Sequence, residues 1–158
     1  DIGDTVCFTS TDPYRIKISG RTKHFIYVFG EELMVGNTDQ AIAIVSEKLN
    51  CIVEHYTAGP VFMDNEGKGG HEWIVEFKQA PDDISEFITM LDETLRSLNS
   101  DYDTKRQNDI ALQELILHVA PKDTFMKWME ERGKLGGQHK VPRLSNKRDY
   151  LEALIPLI

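Results

Sequence analysis

Residues 81–98 read PDDISEFITMLDETLRSL. Pro81-Asp82-Asp83 begins a helix, and Ile84, Phe87, Ile88, Leu91, Leu95 and Leu98 follow at spacings of 3, 1, 3, 4 and 3. Such spacing gathers the apolar side chains into one stripe, the pattern of a helix that covers a sheet. The sheet is signalled just upstream. Ile52–Thr57 and Glu72–Phe77 are rich in β-branched and aromatic residues, which suits strands. Between them, Asp64-Asn65-Glu66-Gly67-Lys68-Gly69-Gly70 is polar and glycine-rich, so the two strands are expected to form a hairpin. The glycine cluster lacks the strand-to-helix context and the Lys-Ser/Thr ending of a phosphate-binding loop.

Toward the N-terminus, Thr5–Thr9 and Tyr14–Ser19 flank Ser10-Thr11-Asp12-Pro13 and read as another hairpin. Gly20-Arg21-Thr22-Lys23 interrupts the pattern, and a third strand, His24–Phe29, ends at Gly30. Asn37-Thr38-Asp39 supplies N-cap chemistry for a helix to about Leu49, with Ala41, Ile44, Val45 and Leu49 on one face. Downstream, a short helix is expected over Tyr102–Asp109 and an alternating strand over Leu112–Val119. Lys122–Arg132 forms a helix with Phe125, Trp128 and Met129 on one side. Asn146–Leu157 closes the chain as a helix with Tyr150, Leu151 and Leu154 inward. The order predicts an α+β fold: a small, largely antiparallel or mixed sheet covered by helices. The first hairpin forms a separate lobe, with Gly20–Lys23 as the joint.

The 158 residues suffice for one well-buried domain, and 41% hydrophobic with 28% charged residues is globular composition. No apolar run is long enough to span a bilayer, and no signal-peptide pattern appears. A formal net charge of −8 argues against a nucleic-acid partner. Cys7 and Cys51 do not make a disulfide framework, which favours a reduced, cytoplasmic setting.

Against that acidic background, Arg132–Arg148 contains Arg132, Lys134, Lys140, Arg143, Lys147 and Arg148 and no Asp or Glu. This segment carries +6, so the remaining residues sum to −14. Gly133, Gly136 and Gly137 stand among the cations. Backbone N–H groups freed by glycine, beside lysine and arginine, are what a phosphate or an adenylate requires. An exposed basic loop with no ligand is the plainer reading of the segment taken alone.

Other chemistry is weakly signalled. The five histidines show no H-x-x-x-H spacing and no C-x-x-C is present, so no metal site is expected. No Gly-x-Ser-x-Gly elbow occurs. Glu31-Glu32 and Glu130-Glu131 read as solvated faces without an enclosed partner, and Trp73, Trp128 and the phenylalanines as core.

Three separated segments together carry a resemblance. Ile2-Gly3-Asp4, followed by Gly20-Arg21-Thr22-Lys23 with Phe25-Ile26 and Gly30, resembles the hinge region of acyl-adenylate-forming enzymes. Leu98-Asn99-Ser100-Asp101-Tyr102 with Arg106 is similar to an L-N-x-x-Y-x-x-x-R motif of one branch. That branch is the auxin-responsive promoter family of acyl-acid amido synthetases, the Gretchen Hagen family of plants. Its Q-Y-K-T-P-R signature is similar to Gln138-His139-Lys140-Val141-Pro142-Arg143, with His139 and Val141 in place of Tyr and Thr. The chain also departs elsewhere: Tyr27 stands where acyl-CoA synthetases carry Lys, and Gly30–Met34 is closer to the general superfamily pattern than to the plant branch. A bacterial-type member of the family reconciles both.

The resemblance implies an ATP-dependent ligase of which this chain is the C-terminal lid, with residues 1–23 as hinge-side hairpin and linker and 24–158 as the lid domain. The acid pocket and ATP-phosphate loops, with the magnesium that accompanies ATP, are then expected in a large N-terminal domain of the same protein. The isolated chain is expected to be inactive. By residue match, Asp4 binds the AMP ribose, Arg21 the ribose or phosphate, and Lys23 sits at the pivot. Lys140 approaches the reacting phosphate or carboxylate from the lid, with Lys134 and Arg143 as neighbours. Small carboxylic acids and amino acids are the implied substrates. The alternatives are a stand-alone, non-enzymatic α+β module that binds an anion or partner, and the lid of an acyl-CoA-type synthetase.

Overall fold

The computed structural model describes residues 4–21, 25–63, 67–107, 112–134, 136 and 140–158, without the side chains of 4, 5 and 19–21. The chain opens with β1 (Asp4–Thr11) and β2 (Tyr14–Arg21), an antiparallel hairpin. Two short strands, β3 (Phe25–Ile26) and β4 (Leu33–Met34), pair next and lead into α1 (Val35–Lys48). Then come β5 (Ile52–Val61), β6 (Gly70–Gln79), α2 (Ile84–Leu98) and α3 (Ser100–Arg106). The chain ends with β7 (Ile116–Ala120), α4 (Thr124–Glu131), α5 (Asp149–Leu154) and a 3-10 turn over Ile155–Leu157.

The principal sheet has the order β5-β6-β7, with β6 antiparallel to β5 and parallel to β7. Its central strand is buried on both faces. Trp73 and Val75 enter a core with Phe87, Leu91 and Leu95 of α2 and Ala41 and Val45 of α1. Ile74 points the other way, into a smaller core with Phe125, Trp128 and Met129 of α4 and Leu151 and Leu154 of α5. Successive residues of a strand face opposite sides, so helices on both faces are the outcome this strand requires. The expected hairpin, the helix on it and the α+β class are all present, in a mixed sheet.

Several local expectations shift for identifiable reasons. The expected N-cap of α1 lies inside the helix, which starts at Val35. Asn37 Oδ1 accepts the Met34 N–H at 3.0 Å, and Thr38 Oγ1 meets the Tyr56 hydroxyl at 2.7 Å. The cap-like side chains therefore serve the preceding turn and the core. For α2 the sequence is literal: Asp83 Oδ1 accepts N–H groups of Ser85 and Glu86, at 2.7 and 3.4 Å. The cap of α4 comes from another strand. Asp123 sits at φ 67° without a side-chain cap, and Glu76 of β6 accepts the N–H groups of Asp123 (2.8 Å) and Phe125 (3.1 Å).

The strand expected over Leu112–Val119 begins only at Ile116, and Leu112 makes an isolated bridge to Gly69. The closing helix is shorter than Asn146–Leu157, starting at Asp149 and passing into the 3-10 turn at Ile155. Just before it, Arg143–Ser145 pairs with the sheet. Ala58 N–H donates to the Arg143 carbonyl at 2.8 Å, Ser145 N–H donates to the Ala58 carbonyl at 3.2 Å, and Leu144 is buried. Asn146 then links to β3, accepting the Tyr27 N–H at 2.7 Å and donating to the Phe25 carbonyl at 3.1 Å.

Glu31 corrects the sequence reading of a solvated acidic pair. It is fully buried, with Oε1 2.8 Å from His71 Nε2 and Oε2 accepting the Phe29 N–H at 2.8 Å. The β3–β4 turn places it there, with Gly30 at φ 81° and Glu32 at φ 43°. Two adjacent acids on a tight turn thus face opposite ways.

Candidate functional site

The basic segment divides into cations used within the fold and cations that are not. Arg132, just past α4, lies with its guanidinium 4.5 Å from the Trp128 ring centre and 5.5 Å from that of Tyr150. Arg148 donates to Glu72 Oε2 at 2.6 Å and to the Pro60 carbonyl at 2.7 Å. The second Glu72 oxygen meets His118 Nε2 at 2.7 Å. Burial alone would raise the Glu72 carboxyl, but Arg148 and His118 outweigh it and hold the group below its ordinary value.

Arg143 is tied from two directions. Its Nη1 donates to Asp39 Oδ1, and its guanidinium lies 5.1 Å from the Tyr56 ring centre. The Tyr56 hydroxyl donates to the same Asp39 oxygen at 2.6 Å, and Tyr56 stacks on Trp73 at 5.6 Å. Burial and the Asp39 hydrogen bond push the Tyr56 hydroxyl far above its ordinary value. A planar cation shared between a carboxylate and a ring is the arrangement arginine makes better than lysine.

Lys134, Lys140 and Lys147 are exposed and make no side-chain hydrogen bond or ion pair among the described residues. Lys134 follows the end of α4, where Gly133 at φ 63° lets the chain turn back. The Gly133 N–H reaches the Glu130 carbonyl at 2.8 Å, and the Lys134 N–H reaches that of Met129 at 2.8 Å. Both amides, expected to face an anion, are spent on the helix end instead. Gly136 also has a positive φ, 84°. Gly137 of the glycine set, and Gln138 and His139 of the expected signature, lie outside the described residues.

Asp4 and Arg21 end the first hairpin as cross-strand partners. Gly20 and Arg21 belong to β2, so the strand runs two residues beyond its sequence pattern. Lys23, the expected pivot, lies outside the described residues. The structure thus sets Asp4 beside Arg21 and Arg143 against Asp39, and leaves Lys134 and Lys140 in solvent.

The L-N-x-x-Y-x-x-x-R motif has a structural task. Asn99 caps α3, its Oδ1 accepting the Tyr102 N–H at 2.8 Å, while its Nδ2 donates to the Glu32 carbonyl at 3.2 Å. Tyr102 and Arg106 both converge on the buried carboxylate of Asp92. The partners that sequence reading missed are Asp39, Glu31, Glu72 and Asp92. Three of them bond across 104, 40 and 76 residues, and no local pattern announces such pairs.

Among the described residues, no cluster of three or more His, Cys, Asp or Glu could hold a metal ion. Among the same residues, no helix is long and apolar enough to cross a membrane.

Residues 36–149 match the GH3 family C-terminal domain. The match runs from α1 to the start of α5 and includes the whole basic segment. Two solved structures share the fold. One is GH3.15 acyl acid amido synthetase, with a TM-score of 0.74 at 18% identity, over 99% of this chain and 30% of that one. The other is AtGH3.15 acyl acid amido synthetase in complex with 2,4-DB, with a TM-score of 0.72 at 17% identity and the same coverage, 99% and 30%. The chain therefore spans about 30% of the length of those enzymes. No curated protein sequence matches it significantly.

Proposed function

This chain belongs to the GH3 family, as its C-terminal domain, and we propose that it is the mobile lid of an ATP-dependent acyl-acid amido synthetase. The match over 36–149 is the observation that carries the reading. In the first half-reaction a carboxylate oxygen attacks the α-phosphorus of ATP, giving acyl-AMP and releasing pyrophosphate. In the second, the amine of an amino acid attacks the acyl carbon, giving the amide and releasing AMP.

Lys140 is the residue of this domain proposed to meet the charge that develops on the phosphate. Its exposure, where Arg132, Arg143 and Arg148 are engaged in the fold, supports that role. A preorganised cation is worth most in a closed site with little water, so a lysine delivered by a moving lid suits the first step. Lys134 adds positive field beside it. Asp4 is proposed to bind the ribose and Arg21 the ribose or phosphate, with Lys23 at the pivot between residues 1–23 and 24–158. ATP, its magnesium, the acid and the amine would be held chiefly by the remainder of the enzyme.

The first hairpin supports the need for that remainder. Val6, Phe8, Tyr14, Ile16 and Ile18 are each more than half exposed. The register pairs Val6 with Ile18 and Phe8 with Ile16, so these side chains share one face. An apolar face of this kind is suited to being covered by another protein surface. Pyrophosphate release by the full-length protein, assayed over a panel of carboxylic acids and then amino acids, tests the reading. Acid-dependent release followed by amide formation is expected. No release with any acid, or a thioester with coenzyme A in place of an amide, would overturn it.

A further inference from the structure

We propose that Asp39 is a positioning residue for Lys140, acting through Arg143: the Asp39–Arg143–Tyr56 contact fixes the arm that carries the lysine. The proposal rests on the lid reading above and goes beyond it in assigning Arg143 to the fold rather than to the ligand.

The four residues after Lys140 are each restrained. Val141 packs against the α4–α5 core. Pro142 fixes its own φ and narrows the conformations of Val141. Arg143 is held through its side chain by Asp39 and Tyr56, and through its carbonyl by Ala58 N–H at 2.8 Å. Leu144 is 1% exposed and bridges to Ala58. Lys140 thus directly precedes a braced segment.

The brace is itself rigid at its base. Tyr56 stacks on Trp73, which is fully buried, and its hydroxyl is shared with Thr38 Oγ1 (2.7 Å) and Asp39 Oδ1 (2.6 Å). Asp39 lies in the first half of α1, so the segment is fastened to the helix and to the sheet at once. Asp39 already supplies Arg143 with a carboxylate. A phosphate would have to displace it, whereas Lys140 has no such competitor among the described residues. A misplaced charge loses much of its effect on a transition state, which makes the brace matter to rate.

The test is a double-mutant cycle in the full-length enzyme, read as acid-dependent ATP–pyrophosphate exchange. Asp39→Asn and Arg143→Ala should each lower kcat about tenfold with KM for ATP little changed. The double variant should be no slower than either single one, because both remove the same contact. The exchanged pair Asp39→Arg with Arg143→Asp should recover part of the rate. Both side chains are more than 40% exposed, 42% for Asp39 and 45% for Arg143, so folding does not depend on them. Should either single variant nonetheless melt early, Tyr56→Phe keeps the ring and removes only the hydroxyl, with its bonds to Asp39 and Thr38. A kcat loss with unchanged KM is expected there too, and full activity would contradict the brace. A raised KM for ATP in Arg143→Ala, with Asp39→Asn unaffected or faster, would overturn the proposal by placing Arg143 on the ligand. Additive losses would also overturn it. A wild-type enzyme without exchange would instead refute the lid reading.

Discussion

Arg106 grips Asp92 with two nitrogens, Nε at 3.0 Å from Oδ1 and Nη2 at 2.8 Å from Oδ2, and both side chains are under a tenth exposed. Tyr102 adds its hydroxyl to the same carboxylate at 2.6 Å, and Arg106 Nη1 donates to the Leu112 carbonyl at 2.9 Å. α2, α3 and the entry to β7 are thereby fastened at one point. Removing one partner strands a buried charge, so Arg106→Leu should cost about 3–5 kcal/mol by denaturant unfolding. Replacing Asp92 as well, by Leu, should recover much of that loss. Equal stability of wild type and Arg106→Leu would contradict the role given to this clasp.

Tyr102 and Tyr56 govern the alkaline limit. Burial, followed by the Asp92 charge, pushes the Tyr102 hydroxyl well above its ordinary value of 10.0, and burial with the Asp39 hydrogen bond raises Tyr56 from the same value. The fold favours the neutral form, whereas the unfolded residue ionises near 10.0. The stability from both residues is therefore full below that pH and falls as pH rises above it. Of the five tyrosines, two should yield tyrosinate absorbance only in step with loss of near-ultraviolet dichroism. Tyr56→Phe should remove one of these late ionisations. Complete tyrosine ionisation with the fold intact would contradict this.

The acid limit is set by carboxylates held low. Burial by itself would raise Glu31, but the hydrogen bond and charge of His71, with backbone N–H groups, bring it below its ordinary 4.5. Glu72 is lowered likewise by Arg148 and His118. A depressed carboxyl stabilises above its unfolded value, so this contribution is lost as pH falls from 4.5 through the folded values. Thermal midpoints measured down that range should drop, and Glu31→Gln should drop less steeply from a lower starting point. An unchanged slope in Glu31→Gln would count against the pair.

Gly69 is required by close approach. A Cβ there would lie 2.4 Å from Phe29 Cζ and 2.9 Å from the Val61 carbonyl oxygen. Gly69→Ala should destabilise by roughly 1–3 kcal/mol, as overpacking does. Adding Phe29→Leu should relieve part of the strain, and a neutral Gly69→Ala measured by the same unfolding curve would refute the contact.

These four sites mark where sequence reading reached its limit. The α2 stripe, its start at Pro81-Asp82-Asp83 and the hairpin of Ile52–Thr57 with Glu72–Phe77 were legible because each rests on a local pattern in the sequence. Glu31 was not, since its neighbour Glu32 has the same chemistry and only the β3–β4 turn tells them apart. The brace at Arg143 depends on Asp39, 104 residues away. Nothing around either residue distinguishes a pinned arginine from one awaiting a phosphate. The resemblance found the family, and one of its motifs, Leu98–Arg106, fastens α3 to α2 through Asp92.

Lys140 carries the central claim, that this domain brings a cation to the phosphate during acyl-AMP formation. The direct measurement is acid-dependent ATP–pyrophosphate exchange by the full-length enzyme with Lys140→Ala, alongside its thermal midpoint. The exchange rate should fall about a hundredfold or more, the scale of losing one preorganised charge-stabilising donor. The midpoint should hardly move, because the side chain is exposed. Near-normal exchange by the variant, or a loss that tracks unfolding, would contradict the account.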